Sequence, residues 1–242
     1  MKIIELEETA STNSYLRQMS EAEHGTVVAT HRQTAGRGQR GNSWEAEPGA
    51  NLTFSVLVRT ENIAPEKQMA ISRATSLAIV QWLDRYLPHG KHATIKWPND
   101  IYVDDSKICG ILIEHTLTSG RIERTIIGVG ININQRVFHS DAPNPVSLSQ
   151  LTGDTYPLDE MLREVASEII SGVEAEDAYG GDLTAVEYKS RMWRGEGFFP
   201  YRDAAGEFSA RIADVAADGT LILERADGRL SSYAFKEVTA LL

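Results

Sequence analysis

The sequence predicts an α+β main domain followed by a small all-β domain, and three observations carry that expectation. Runs rich in Ile, Val and Thr dominate the first half, as half-buried pleated surfaces require. Three stretches place apolar residues at helical spacing. From Trp193 onward, short strand-like runs alternate with Ala205-Gly206, Asp218-Gly219 and Asp227-Gly228, which are strong turn signals.

The main-domain strands are expected over Lys2–Leu6, Thr26–His31, Leu52–Arg59, Thr94–Trp97, Lys107–His115 and Arg124–Ile133. A first helix follows Ser11-Thr12, whose hydroxyls suit an N-cap. A second starts at Pro65 and runs to about Tyr86, with Ile79, Trp82, Leu83 and Tyr86 on one face. A third starts at Pro157 and carries Leu158, Leu162, Val165, Ile169 and Val173. These stripes read as core contacts. In the tail, Phe198–Tyr201, Phe208–Val215, Leu221–Glu224 and Ser232–Phe235 describe a small barrel. About 50 residues are too few to hold a core alone, so the barrel is expected to pack on the main domain. The expected division is 1–192 and 193–242.

Composition limits the partners. The chain has 242 residues, 42% hydrophobic and 24% charged, an ordinary globular balance. Lys plus Arg total 24 against 34 for Asp plus Glu, a formal net charge of −10. Such a chain repels nucleic acid and anionic membrane, so a phosphate site must be a local basic cluster. Cys109 is the only cysteine, which rules out an intrachain disulfide. The N-terminus is acidic where a signal peptide would be apolar, and no apolar run approaches the roughly 18 residues of a membrane span. A reducing, soluble, cytoplasmic setting is expected.

Residues 36–41 read Gly-Arg-Gly-Gln-Arg-Gly and satisfy the G-x-G-x-x-G dinucleotide motif letter for letter. Context rejects it. That motif needs a helix opening directly after the glycines. Here residues 42–51 follow, interrupted by Pro48-Gly49, and the next expected element is a strand. A phosphate-binding P-loop fails too, because Gly41 precedes Asn42-Ser43 rather than Lys-Ser/Thr. What remains is a loop of three glycines and two arginines. Its backbone can approach an anion closely, and its guanidinium forks match carboxylate or phosphate. A solvated basic hairpin loop fits those residues equally well.

Further segments shift that balance. Lys96-Trp97-Pro98-Asn99-Asp100 ends a strand at a proline, and Lys107 and Gly110 open the next strand beyond the turn Asp104-Asp105. Gly128-Val129-Gly130-Ile131-Asn132 ends a strand with small residues, where something flat could lie against the backbone. Singly, each piece has a plain structural reading: Trp97 as core, Asp104-Asp105 as a hairpin turn, Lys107 as a solvated lysine. His24, His31, His89, His92, His115 and His139 form no metal-ligand spacing.

Taken together, Ser11-Thr12-Asn13, Gln33 with Gly36–Gly41 and Trp44, Lys96–Asp100, Lys107 with Gly110, and Gly128–Asn132 resemble the biotin–protein ligase family, in its order and at its spacing. The resemblance implies a mixed sheet with flanking helices like that of class II aminoacyl-tRNA synthetases, followed by an SH3-like barrel. It implies coupling of biotin to ATP as biotinyl-5′-AMP, with Mg²⁺, and transfer to one lysine of a biotin carboxyl carrier protein. It assigns Ser11, Thr12, Asn13, Gln33, Gly36, Arg37, Trp44, Lys107, Gly110 and Gly128 to biotin. Gly38, Gln39, Arg40, Gly41, Trp44, Trp97, Asn99 and Asn132 fall to ATP and the adenylate. Arg37, Arg40, Lys107 and Asp100 fall to catalysis, with Asp100 serving the metal or the incoming lysine. The hydroxyls and amides of Ser11, Thr12 and Gln33 suit a ureido ring, whose C=O and N–H groups need partners of both kinds.

One departure stands out. The second variable position of the glycine loop is basic in much of the family and is Gln39 here, which predicts looser retention of the adenylate. The first family motif begins at Ser11, so no N-terminal winged helix is expected and DNA is excluded as a partner; a homodimer is left open. Two alternatives stand beside this expectation: a lipoate or octanoate ligase or transferase of the same fold, and a non-catalytic biotin-sensing module.

Overall fold

A computed structural model describes residues 1–38, 44–139 and 144–241. The chain opens with β1 (Lys2–Thr9), α1 (Thr12–Gln18) and β2 (Thr26–Gln33), a crossover unit in which β1 and β2 pair parallel. Every other pair in the main sheet is antiparallel. β3 (Leu52–Val58) follows, then α2 (Met69–Asp84), β4 (Ala93–Lys96), β5 (Asp100–Val103), β6 (Ser106–Thr118) and β7 (Arg121–Ile131). The seven strands lie in the order β1-β2-β3-β7-β6-β5-β4. This is the mixed sheet expected. Because β2 and β3 pair antiparallel, with Val28 opposite Ser55, the glycine loop joins neighbouring strands and opens no crossover helix. The dinucleotide reading fails on topology as well as on sequence.

The two faces of the sheet bury different cores. In β7, Ile127, Val129 and Ile131 pack with α2 and with α4 (Leu158–Ala178), which contributes Leu162, Val165 and Ile169. On the opposite face, Leu16 of α1 packs with Val28, Leu57 and Ile126 in a smaller cluster. That second face carries Gly128 and Gly130 and is left open beside α1. Burial of the first face supplies most of the fold's hydrophobic stabilisation, at roughly 25 cal/mol per Å² of apolar surface.

Several elements differ from expectation. The second helix is broken: Pro65–Lys67 form a 3-10 turn and α2 runs only to Asp84, with Ile79, Trp82 and Leu83 fully buried as foreseen. β5 was not expected; its four residues follow Asn99 directly and give the Asp104-Asp105 turn its preceding strand. Two short helices, α3 (Leu148–Thr152) and α5 (Ala185–Ser190), are also additional. Each is shorter than the window in which helical periodicity can be read.

A second, antiparallel sheet is formed by β8 (Phe199–Asp203), β9 (Gly206–Val215), β10 (Leu221–Arg225), β11 (Leu230–Tyr233) and β12 (Thr239–Ala240), in the order β11-β10-β9-β8-β12. Its core residues Tyr201, Leu221, Leu223 and Val238 belong to the same continuous cluster as the main domain. The two parts are stitched by polar contacts as well. Trp97 Nε1 donates to the Gly219 carbonyl at 2.9 Å, Trp193 Nε1 to Asp105 Oδ1 at 3.0 Å, and Arg194 Nη2 lies 3.7 Å from Asp105 Oδ1. Among the described residues no helix is long and apolar enough to cross a membrane.

Candidate functional site

Between the open sheet face, the α1 N-terminus and the second sheet lies a cavity of about 340 Å³, a volume suited to a small organic ligand. One end is built where β1 passes into α1. Ser11 is the N-cap, its hydroxyl accepting from Ser14 N, and it also faces the cavity. Thr12 donates from both its backbone N–H and its hydroxyl to Gln33 Oε1, at 2.9 and 3.3 Å, which ties the helix start to the end of β2. Ser55 Oγ lies 2.7 Å from Thr12 Oγ1 and 2.5 Å from Asn13 Oδ1, so its single proton can satisfy one of them at a time. Asn13 spends its amide hydrogens on the Leu112 carbonyl and on Glu114 Oε2, at 3.3 and 2.8 Å. These side chains orient one another, and Ser11, Thr12, Asn13 and Gln33 all line the cavity.

The floor is glycine. Gly110 of β6 is paired with Gly130 of β7, and Gly128 lies two residues before it. The Trp44 indole covers Gly110 and Gly130 so closely that a Cβ at Gly130 would collide with the ring. A Cβ at Gly128 would collide with the Asn13 amide in the same way. Something flat does lie against this backbone: the chain's own tryptophan. Its Nε1 is buried and finds no hydrogen-bond partner among the described residues.

The glycine pair belongs to a longer rung. Lys96 pairs with Asp100, Asp100 with Gly110, Gly110 with Gly130 and Gly130 with Thr53, across β4, β5, β6, β7 and β3. All five residues face the cavity. Lys107 reaches over this rung, its Nζ 2.7 Å from Asp100 Oδ1 and 5.7 Å from the centre of a Trp44 ring. Lys96 Nζ donates to the Tyr102 hydroxyl at 2.9 Å and lies over the rings of Tyr102 and Trp193, 4.6 and 5.0 Å from their centres. Burial pushes the Lys96 ammonium below the usual lysine range; Asp100 opposes this, while Lys107 and Arg194 add to it.

Arg37 Nη2 donates to Ser14 Oγ at 3.2 Å and lies 3.4 Å from Glu114 Oε2. Glu114 also pairs with Arg17 at 2.5 Å. Burial would raise the Glu114 carboxyl, but hydrogen bonds from Asn13 and Arg17 and the charge of Arg37 outweigh it and hold it below the ordinary value. Among the described residues lining the cavity, Arg37, Lys96, Lys107 and Lys236 are basic and only Asp100 is acidic. A chain of net charge −10 has gathered positive charge at this one place.

Most residues singled out in the sequence meet here. Ser11, Thr12, Asn13 and Gln33 form the polar end; Arg37, Gly38 and Trp44 line the side under the glycine loop; Asn99, Asp100, Lys107, Gly110 and Gly128 line the sheet side. Gly36 stands just behind, its carbonyl accepting from Trp44 N at 3.2 Å. Trp97 lines the cavity too, but its indole faces the second sheet, 6.2 Å from the Phe235 ring. Asn132 is absent from the described lining; its Nδ2 donates to the Val146 carbonyl at 3.1 Å, and its Oδ1 is buried with no partner among the described residues. The strand ends at Ile131, so the alternation that aims Gly128 and Gly130 at the cavity no longer applies to it. Gln39, Arg40 and Gly41 lie outside the described residues. Cys109 is fully buried and its thiol is pushed up by burial, in keeping with packing.

Sequence reasoning missed Glu114, Ser55, Tyr102, Trp193 and Lys236, and gave Lys96 no role of its own. Period-two alternation from Gly110 through Leu112 was the available signal for Glu114. Nothing local pointed to Lys236.

A mixed sheet with a glycine floor and an appended β-sheet enclose between them a cationic cavity, of a charge and size that suit a small anionic molecule. The model of the biotin/lipoate A/B protein ligase family matches residues 5–132, and the chain belongs to that family. It is 32% identical over 187 residues to a biotin–[acetyl-CoA-carboxylase] ligase of Mycobacterium tuberculosis, covering 74% of this chain and 68% of that protein. It is 27% identical over 235 residues to a bifunctional ligase/repressor BirA of Bacillus spizizenii, covering 88% of this chain. The chain spans 66% of the length of that relative. In fold it is similar to a biotin protein ligase from Aquifex aeolicus solved in complex with biotin and ATP, with a TM-score of 0.80 at 22% identity, covering 99% of this chain and 98% of that one.

Proposed function

We propose that this protein activates biotin with ATP as biotinyl-5′-AMP and transfers the acyl group to a lysine of a biotin carboxyl carrier protein. The observation that carries this reading is the convergence of Arg37 and Lys107 on one cavity that the neutral hydrogen-bonding groups of Ser11, Thr12, Asn13 and Gln33 also line. An acid with an uncharged polar head and a carboxylate tail fits that polarity. The ureido head meets Ser11, Thr12 and Gln33, and the carboxylate reaches Lys107 and Arg37.

The first step joins two anions. A carboxylate oxygen attacks the α-phosphorus, the bond from that phosphorus to the bridging oxygen breaks, and pyrophosphate leaves. Its barrier falls chiefly through charge neutralisation and alignment. Lys107 and Arg37 supply the charge, and each is held ready by a carboxylate, Asp100 and Glu114. In the second step the amine of the carrier lysine attacks the acyl carbon and AMP departs with the electrons of the C–O bond. Asp100, beside Lys107, is placed to hold the incoming ammonium or take its proton. Among the described residues no cluster of three His, Cys, Asp or Glu forms. Asp100 is the carboxylate that would help hold a Mg²⁺ ion, and that ion would neutralise phosphate charge. We read residues 1–192 as the catalytic part and 193–242 as the barrel that closes it, in a cytoplasmic enzyme whose lone thiol stays reduced and buried.

The test is direct. Incubation with biotin, ATP, Mg²⁺ and a carrier domain should raise the carrier's mass by one biotinyl group. Modification by lipoate or octanoate but not biotin, or binding of biotin without turnover, would overturn the assignment.

A further inference from the structure

The second sheet reaches the cavity through the turn between β11 and β12. Glu237 N donates to the Ala234 carbonyl at 3.1 Å, and Glu237 Oε2 accepts from Ala234 N at 2.7 Å. This doubly closed turn holds Lys236 in the left-handed region, at φ +74°, where glycine sits without strain and a long side chain does not. Among the described residues the other non-glycines with positive φ are Asp104, Ser119, Asn144 and Arg194. The first three are short polar residues of the kind that turns commonly use. Arg194 is committed to packing, its guanidinium 4.1 Å from the centre of a Trp193 ring and bonded to the Leu241 carbonyl. Lys236 lines the cavity beside Phe235, whose ring lies against Trp97. A strained conformation at a ligand cavity points from geometry towards function.

We propose that Lys236 is a nucleotide-binding residue supplied by the barrel, its ammonium pairing with the polyphosphate of ATP, so that the β11–β12 turn completes the site. The inference rests on the ATP-dependent reading above and extends it. Lys107 and Arg37 are each shared with a carboxylate, so a triphosphate brings more negative charge than they alone neutralise. The barrel then has a task beyond packing: the nucleotide bridges it to the main sheet.

Calorimetric titration of ATP, without any acid substrate, into the full chain and its Lys236→Ala, Lys236→Gly and Lys236→Arg variants tests this. Loss of the ammonium should weaken ATP binding roughly tenfold in Lys236→Ala and Lys236→Gly, the order of one charge-assisted hydrogen bond. Lys236→Arg should keep most of the affinity. In turnover the loss should appear in KM for ATP rather than in kcat. Lys236→Gly relieves the backbone strain, so its melting temperature should not fall; a purely structural lysine would show that gain with unchanged ATP binding, and that result overturns the proposal. Absence of ATP binding in the unsubstituted chain would overturn the ligase reading with it, whereas equal binding by all four proteins overturns this inference alone.

Discussion

At one end of the cavity Thr12, Asn13, Ser55 and Gln33 are neutral and hold one another through hydrogen bonds of 2.5–3.3 Å. Across the glycine floor Lys107 is charged and leans on Asp100, whereas Arg37 leans on Glu114 beside the polar end. The polar end is finished before any ligand arrives, whereas the two cations exchange one anionic partner for another. The two groups share one sheet face, with glycines between them that let Trp44 and Asn13 lie close to the backbone. The contrast predicts that substitutions at the two ends fail differently.

The largest effect is expected from Lys107→Ala. Loss of one charge-stabilising donor should lower the rate of adenylate formation by roughly 10²–10³, about 3 kcal/mol, read as biotin-dependent exchange of pyrophosphate into ATP. Biotin affinity should change far less, since the neutral end is intact. Gly130→Ala tests the floor between the two ends. Its Cβ meets the Trp44 indole in a packed site, and overpacking of this kind costs about 1–3 kcal/mol, measurable by denaturant unfolding. An unchanged unfolding midpoint would mean that Trp44 does not rest where the contact places it.

Gln39→Arg sharpens the charged end. Restoring a cation to the loop should slow release of the adenylate by up to about fivefold, the range of an exposed ion pair. Equal release from the two proteins would remove Gln39 from the account. The smallest effect concerns pH. Glu114 has a lowered folded-state value, so its contribution to stability is present above the unfolded carboxylate value, about 4.3, and is lost as pH falls through the lower folded one. Glu114→Gln should flatten the acid limb of the stability curve by less than about 1 kcal/mol. A steeper acid limb in the variant would reverse the sign worked out here.

Local chemistry carried much of this into the sequence. Ser11 was legible as a helix cap because its hydroxyl and position allow little else. Gly128 and Gly130 were legible as a place where backbone is bare. What covers Gly130 was not: Trp44 lies far away in the chain, and only the pairing of β3 with β7, and of β7 with β6, brings it near. The same holds for Lys96, whose meaning comes from a rung across five strands rather than from its neighbours. β5 escaped because four residues between two turns give no period to count. Lys236 was illegible because backbone strain is invisible in a residue's name.

The central claim is that Lys107 and Arg37 meet the same phosphate. A crystal structure with a non-hydrolysable biotinyl-adenylate analogue tests it most directly. We predict that Lys107 Nζ and the Arg37 guanidinium both lie within about 3 Å of oxygens at the carboxyl–phosphate junction, with the ureido ring against Ser11 and Gln33. An analogue seated elsewhere, with Lys107 still on Asp100 and Arg37 still on Glu114, would contradict the account.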